Sequence, residues 1–232
     1  MYKIAGLNIA ISGGGDLLSQ RAAAYSTECA DAVDMEIEVP AYQLLKMQQS
    51  FPHLTKDECA YIFAGEEFHY DLIHFACFRL HASAVVLDGR AYLFSAPSGT
   101  GKSTHTSLWC DYFGRERTYI LNDDMPAIRQ EGNRFTAYGT PWSGTSPLNQ
   151  NAGVPLQAIA FMERSQTDWI RPASHNESII GLMSHSINMS DQTSLEKLLA
   201  LLEALLKAVP IYRMGCTISH HSVKMAHAAM NI

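Results

Sequence analysis

A glycine-rich stretch in the middle of the chain constrains the fold more than any other feature of the sequence. Its residues are Ala96-Pro97-Ser98-Gly99-Thr100-Gly101-Lys102-Ser103, which fit the relaxed Walker A pattern with alanine in place of the first glycine. The flanking residues predict a strand over 91–95 and a helix over 102–113. A phosphate-binding loop of this kind requires an α/β core around it.

The residue types of this loop suit a chain of phosphates. Glycines let the backbone curl until several N–H groups point to one anion, and the positive end of the next helix adds to the attraction. Lys102 supplies a charge for the β- and γ-phosphates, and Ser103 supplies an oxygen ligand for Mg²⁺. The motif thus predicts a site for ATP and Mg²⁺, with these nucleotide-binding residues: Pro97, Ser98, Gly99, Thr100, Gly101, Lys102, Ser103 and Thr104.

Two adjacent carboxylates, Asp123 and Asp124, follow a short apolar strand about twenty residues after the loop. Mg²⁺ prefers hard oxygen ligands, commonly one or two carboxylates together with phosphate oxygens and water. One carboxylate can therefore hold the metal while the other accepts the proton of an attacking hydroxyl. Without the loop, an Asx-rich turn would explain Asn122-Asp123-Asp124 equally well.

Two further features are candidates for the site. His81 lies on a predicted strand, residues 80–87, that turns at Asp88-Gly89 into the strand before the loop. Its spacing alone does not separate a functional histidine from a structural one. Residues 139–144, Gly-Thr-Pro-Trp-Ser-Gly, form a shaped loop that would cover the nucleotide or shape an acceptor pocket.

The rest of the chain divides into a small extension and one larger domain. Residues 1–54 are predicted to be strand-rich, with strands at 3–11 and 35–39 and a flexible glycine turn between them. Residues 55–232 are predicted to form the phosphate-loop domain. A helix is expected to begin at Thr55 and end at Gly65, followed by a second helix over 67–77. The hairpin before the loop favours a mixed sheet, flanked by helices.

Composition excludes several classes of function. The net charge is −6, and no dense cluster of lysine and arginine offers a nucleic-acid surface. No run of about 18 apolar residues predicts a membrane span, and the first residues do not resemble a leader. Widely spaced cysteines without a CxxC pair argue against disulfides or zinc and favour a reducing cytoplasm. These cysteines are Cys29, Cys59, Cys77, Cys110 and Cys216.

Leu80-His81-Ala82-Ser83, the glycine-rich loop and Asn122-Asp123-Asp124 occur in one order. In this they resemble the catalytic domain of HPr kinase/phosphorylase, which shares its phosphate-loop core with phosphoenolpyruvate carboxykinase. The short HPr-kinase-like proteins of bacteria are more similar, because they also carry a Gly-Thr-Pro-Trp loop. The resemblance covers about residues 60–220. It implies an α/β fold with a mixed sheet.

The resemblance also implies roles for individual residues. His81 matches a histidine near the γ-phosphate, Asp123 matches the base, and Asp124 matches a Mg²⁺ ligand. The extension is shorter than the N-terminal domain of HPr kinases, and their arginine-containing signature is not recognisable here. The acceptor is therefore open among a protein, a peptide and a small hydroxylated molecule. HPr kinases form hexamers, which leaves a homo-oligomer open.

The leading hypothesis is a kinase that transfers the γ-phosphate of ATP to a hydroxyl, with Asp123, His81 and Lys102 as catalytic residues. A nucleotide-binding regulator with little turnover and a carboxykinase-like enzyme are the alternatives. A GTPase is disfavoured because the chain has no Asn-Lys-x-Asp motif. The cation that assists the transition state is left open among Arg129, Arg134, Arg164, Arg171 and Arg213.

Overall fold

The computed structural model describes residues 1–28 and 32–231. Within them the strands are β1 (Tyr2–Ile4), β2 (Leu7–Ser12), β3 (Met35–Glu38), β4 (Cys77–Arg79), β5 (Ala82–Leu87), β6 (Arg90–Ser95), β7 (Thr118–Asn122), β8 (Ala127–Glu131), β9 (Arg134–Tyr138), β10 (Gly153–Arg164), β11 (Trp169–Pro172) and β12 (Ile211–Cys216). The helices are α1 (Gly15–Arg21), α2 (Ala41–Ser50), α3 (Lys56–Asp71), α4 (Lys102–Phe113), α5 (His175–His185), α6 (Gln192–Ala208) and α7 (His220–Met230).

The large sheet is mixed, as predicted. Its order is β4-β8-β9-β10-β6-β5-β7, and β12 adds to β10 and carries β11. Strands β6, β10 and β12 are parallel, whereas β5 is antiparallel to both β6 and β7. The turn at Asp88-Gly89 is confirmed, because both residues have the positive φ of the tight turn that suits a twisted hairpin.

Helices cover both faces of this sheet. Strand β5 is buried along its whole length, which explains why all its residues except Ser83 are apolar. Leucines of α5 and α6 pack on one face, including Leu182 and Leu202. Helices α4 and α7 pack on the other face, where Trp109 and Val223 are fully buried. The result is a three-layer α/β architecture.

The N-terminal residues form a second, smaller sheet in the order β1-β2-β3. It shares an apolar cluster with α1, α2 and α3, and this cluster also takes in Trp142 from the 139–144 loop. A capping box between Thr55 and Glu58 begins α3, as the sequence predicts. The division of the chain near residue 54 into an extension and a larger domain stays a prediction.

Several predictions for the first 80 residues are wrong. The predicted strand over 3–11 is a hairpin of β1 and β2, because Ala5 and Gly6 turn the chain with positive φ. The predicted flexible turn at residues 12–15 runs directly into α1 at Gly15, and α2 is a further helix that was missed. The predicted helix over 67–77 contains instead the end of α3, a 3₁₀ turn and the start of β4.

Gly65 does not end α3, contrary to the prediction, and the helix continues to Asp71. A Cβ at position 65 would lie 2.5 Å from Nε1 of Trp142. Glycine is therefore present so that the indole can approach the helix backbone, and its helical conformation is retained. The indole N–H donates to the carbonyl of Tyr61 at 2.9 Å, which fixes the ring against α3.

The fold brings several strand ends to one edge of the large sheet. The carboxyl ends of β6, β7, β10 and β12 lie there together with the amino end of β5, because β5 alone among them runs antiparallel. His81, the glycine-rich loop and the two aspartates adjoin three of these ends.

Of the cysteines, Cys59, Cys77, Cys110 and Cys216 are unpaired, and Cys29 lies outside the described residues. Within residues 1–28 and 32–231, no helix is long and apolar enough to cross a membrane.

We expect Gly65→Ala to destabilise the protein by about 1–3 kcal/mol, because the new methyl group overlaps the indole of Trp142. At an unconstrained helical site the same change would stabilise by about 1 kcal/mol, so the sign is diagnostic. Urea unfolding gives the free energy. In a Trp142→Phe background the cost should shrink, and an equal cost in both backgrounds would contradict the packing argument.

Candidate active site

A cleft of about 810 Å³ opens at the edge of the large sheet where these strand ends meet. Its lining includes residues from the end of β10, the end of β12 and the 143–146 segment. It brings together most of the residues predicted for the site, namely His81, Ser98, Gly99, Thr100, Gly101, Lys102, Ser103, Thr104, Asp123 and Asp124. Pro97 lies next to them, exposed on the same loop.

The glycine-rich loop, residues 96–101, connects the buried strand β6 to α4. Gly99 and Gly101 both have positive φ, and a Cβ on either would meet no atom within 4 Å. Backbone conformation therefore requires glycine at these positions, and the space beside them is open. Arg164, at the end of β10, donates to the carbonyls of Gly99 and Thr100 and so ties the loop to the end of that strand.

Lys102 begins α4 and is almost completely buried. Its Nζ donates to the carbonyl of Ala96 at 3.0 Å and lies 3.1 Å from Nε2 of His81. Burial lowers the pKa of Lys102, and the nearby carboxylates of Asp124 and Asp123 oppose this shift. The two aspartates thus help to keep a charged ammonium in a partly desolvated position.

The Nε2 atom of His81 also lies 3.1 Å from Oδ1 of Asp124. An ammonium group only donates and a carboxylate only accepts, so this nitrogen cannot satisfy both neighbours in one tautomer. If Nε2 is unprotonated it accepts from Lys102, and if it carries hydrogen it donates to Asp124. The lysine and the carboxylate therefore contact the same nitrogen of His81. The presence or absence of a proton on that nitrogen decides which of the two it bonds.

Asp123 is held by the hydroxyl group of Ser83, which in turn contacts the hydroxyl group of Thr106. Its Oδ1 accepts from Ser83 Oγ at 2.7 Å, and Ser83 Oγ lies 2.7 Å from Thr106 Oγ1 on α4. Ser83 must give its proton to the carboxylate, so the proton in the second contact comes from Thr106. Asp123 is largely buried, and its second oxygen is left for the cleft. Neither hydroxyl was predicted to act, because nothing in the sequence links them to Asp123.

Asn122, at the end of β7, connects the aspartates to the 139–144 loop. Its Oδ1 accepts from the N–H groups of Asp124 and Met125, at 2.9 and 2.7 Å. Its Nδ2 donates to the carbonyls of Thr140 and Trp142. One fully buried amide therefore fixes the turn that carries both carboxylates against the loop that covers it. The sequence marked Asn122 only as a turn residue.

The five arginines left open by the sequence differ in their positions. Arg164 lines the cleft. Arg129 donates to the carbonyl of Ala5, Arg171 pairs with Glu177 and Arg213 pairs with Glu163, whereas Arg134 is exposed on β9. A sixth arginine, Arg79 at the end of β4, lies in a hollow beside His81 and Asp124 and was missed. In the sequence, only its position two residues before His81 could have indicated that Arg79 lies near the site.

The donor set of the cleft fits Mg²⁺ bound with a nucleotide. Asp124 offers carboxylate oxygen and Ser103 offers a hydroxyl, and both are hard ligands of the kind that Mg²⁺ takes with phosphate oxygens. The open glycine backbone leaves room for the phosphates themselves. Among the described residues, no group of three or more His, Cys, Asp or Glu side chains could hold a metal ion.

Comparisons with known proteins find a distant likeness among solved structures. No protein-family model matches the chain, and neither does any curated protein. A solved structure of the HPr(Ser) kinase/phosphatase from Coxiella burnetii is similar over 66% of this chain and 94% of that chain, with 13% sequence identity and a TM-score of 0.37.

We expect Asn122→Ala to lower the free energy of unfolding by about 3 kcal/mol, because it leaves buried N–H and carbonyl groups without partners. Denaturant unfolding measures this loss. Asn133→Ala, in the exposed turn between β8 and β9, is the matched control and should change stability by less than about 0.5 kcal/mol. Equal effects of the two substitutions would show that Asn122 does not hold the turn.

Proposed function

We propose that the protein is an ATP- and Mg²⁺-dependent kinase that transfers the γ-phosphate to a hydroxyl group of a protein, a peptide or a small molecule. The observation that carries this proposal is the meeting of three features in one cleft. An open glycine-rich loop, a buried lysine and two carboxylates lie together there. This is the set of groups that phosphoryl transfer requires for positioning and charge stabilisation.

The loop and Lys102 would hold the phosphates. N–H groups of the loop and the amino end of α4 attract the phosphate oxygens, and the ammonium group compensates the charge of the β- and γ-phosphates. Lys102 would exchange its contact with His81 for a phosphate oxygen, which frees Nε2 of His81 to interact with Asp124 or the transferred group. Arg164 keeps the loop in shape through its two carbonyl contacts.

The carboxylates would act on the acceptor and the metal. The acceptor's hydroxyl oxygen bonds to the γ-phosphorus as the bond from that phosphorus to the β–γ bridging oxygen breaks, and ADP leaves with the electron pair. Asp123 takes the hydroxyl proton, and Ser83 keeps its carboxylate oriented. Asp124 and Ser103 would hold Mg²⁺, which when bound neutralises charge on the phosphates.

The sequence resemblance supports the same assignment, because it places His81, Lys102, Asp123 and Asp124 at matching positions. The proposal also includes a cytoplasmic location for the protein. Besides ATP, it includes the hydroxyl-bearing acceptor as a partner.

The proposal is tested by transfer of label from γ-labelled ATP, with Mg²⁺, into a lysate of cells that produce the protein. We expect a labelled acceptor with the wild-type protein and none with Lys102→Ala or Asp123→Asn, because these changes remove phosphate binding and the base. Exposed Lys46→Ala on α2 serves as the control variant. ATP binding that depends on Lys102, without transfer, would favour a nucleotide-binding regulator instead.

The two aspartates are separated by their metal dependence. We expect Asp124→Asn and Ser103→Ala to raise the Mg²⁺ concentration for half-maximal activity about tenfold, since each removes a metal ligand. Asp123→Asn should lower kcat about 100-fold or more without changing that concentration. Activity is followed on the labelled acceptor, or on slow hydrolysis of ATP by water. The opposite pattern would exchange the roles of Asp123 and Asp124.

A further inference from the structure

A second cavity, of about 870 Å³, adjoins the cleft on the far side of Gly144 and Thr145, which line both spaces. Its walls come mainly from α1, α3 and the end of β4, and we call it the α3 groove. A smaller hollow, of about 220 Å³, lies beside both spaces. The hollow shares His81 and Asp124 with the cleft, and it shares Arg79 and Met125 with the α3 groove.

Asp124 lines the cleft and the hollow, and it lies close to Gly144, which lines the cleft and the α3 groove. Gly144, with positive φ, forms the partition, and a Cβ there would lie 3.1 Å from the side chain of Asp124. The backbone of the loop thus approaches the carboxylate closely. A molecule in the α3 groove can present a small group, such as a hydroxyl, beside the aspartates while its body stays outside the nucleotide cleft.

Three aromatic rings form part of the wall of the α3 groove, beside three glutamates, and the polar atoms of these rings are already bonded. Tyr61 donates its hydroxyl to the carbonyl of Pro141, and Tyr70 donates to Asp191. The N–H of Trp142 is used by the carbonyl of Tyr61. These rings consequently offer apolar surface to a bound molecule and few hydrogen bonds.

Arg79, which also lines the groove, differs from these rings. Its guanidinium makes no hydrogen bond or ion pair with any described residue, whereas Arg21 on the same wall donates to the carbonyl of Ser146. Burial lowers the pKa of Arg79, and the charges of Asp124 and Glu66 oppose that shift. Arginine remains charged in proteins, so a half-buried guanidinium without a partner gains strongly from an added anion.

We propose that the α3 groove binds the phosphate acceptor, and that this acceptor carries a carboxylate that pairs with Arg79 and places its hydroxyl at the aspartates. The assignment rests on the proposed function and adds the acceptor's chemical class to it. The apolar part of the acceptor packs on the aromatic wall. Arg79 is a positioning residue here, because it contacts the carboxylate of the acceptor and leaves the reacting atoms to Asp123 and the cleft.

The test uses two probes that differ in one charge, 3-phenyllactate and its amide, with the full chain at millimolar probe concentrations. Both carry a hydroxyl and an aromatic ring, and the acid alone has a carboxylate. Ligand-observed NMR or calorimetry measures their affinities. We expect the acid to bind about tenfold more tightly, as expected for a hydrogen bond to a charged group.

Arg79→Gln should abolish this preference, and Arg79→Lys should restore part of it. Arg115→Gln, on an exposed arginine at the end of α4, should leave it unchanged. Equal binding of acid and amide, no binding of either, or a preference that survives Arg79→Gln would each overturn the inference.

ATP binding, with Lys102→Ala as its control, is measured in the same samples. If ATP binds through Lys102 and the acid shows no preference that depends on Arg79, the inference alone fails. If ATP does not bind, the proposed function fails, and the acceptor assignment fails with it.

Discussion

The arrangement of the site depends on the buried side-chain amide of Asn122. An amide group has two N–H donors and a carbonyl acceptor, and here it uses both kinds at once on two different loops. Because the group is fully buried, any displacement of either loop leaves polar atoms unsatisfied. The two carboxylates therefore take their positions from a residue that itself contacts no solvent.

A second constraint joins the N-terminal layer, which is the small sheet with helices α1, α2 and α3, to the turn that carries the two aspartates. Trp142 lies in the loop that Asn122 holds, and its indole packs on Gly65 and stacks on Phe68 of α3. The helix thus shapes the far side of the site although it belongs to the N-terminal cluster. The cleft and the α3 groove consequently lie on the two sides of one loop, and each is shaped by a different layer of the molecule.

Features with a local physical cause could be predicted from the sequence. The hairpin turn at Asp88-Gly89, the cap at Thr55 and the mixed sheet are of this kind. Helices α1 and α2 were missed because neither N-cap, Gly14 or Pro40, makes a side-chain capping bond in the described part of the chain. The effect of Gly65 was misjudged because the residue that packs on it lies far away in the sequence. Arg79 and the groove had no local pattern, since residues from several widely separated segments define them.

Hydrogen bonds between residues 21–25 and residues 146–151, which follow the 139–144 loop, also bear on synthesis by the ribosome. Arg21 reaches Ser146, Tyr25 reaches Asn149 and Asn151 reaches Ala24, with sequence separations of 125, 124 and 127 residues. At about 5–20 residues per second, the partners emerge roughly 6 to 25 s after the N-terminal residues. The small sheet can pair early, but residues 21–25 lack these partners until residues 146–151 have been made. These contacts therefore cannot help the N-terminal residues to fold until the second segment has been synthesised.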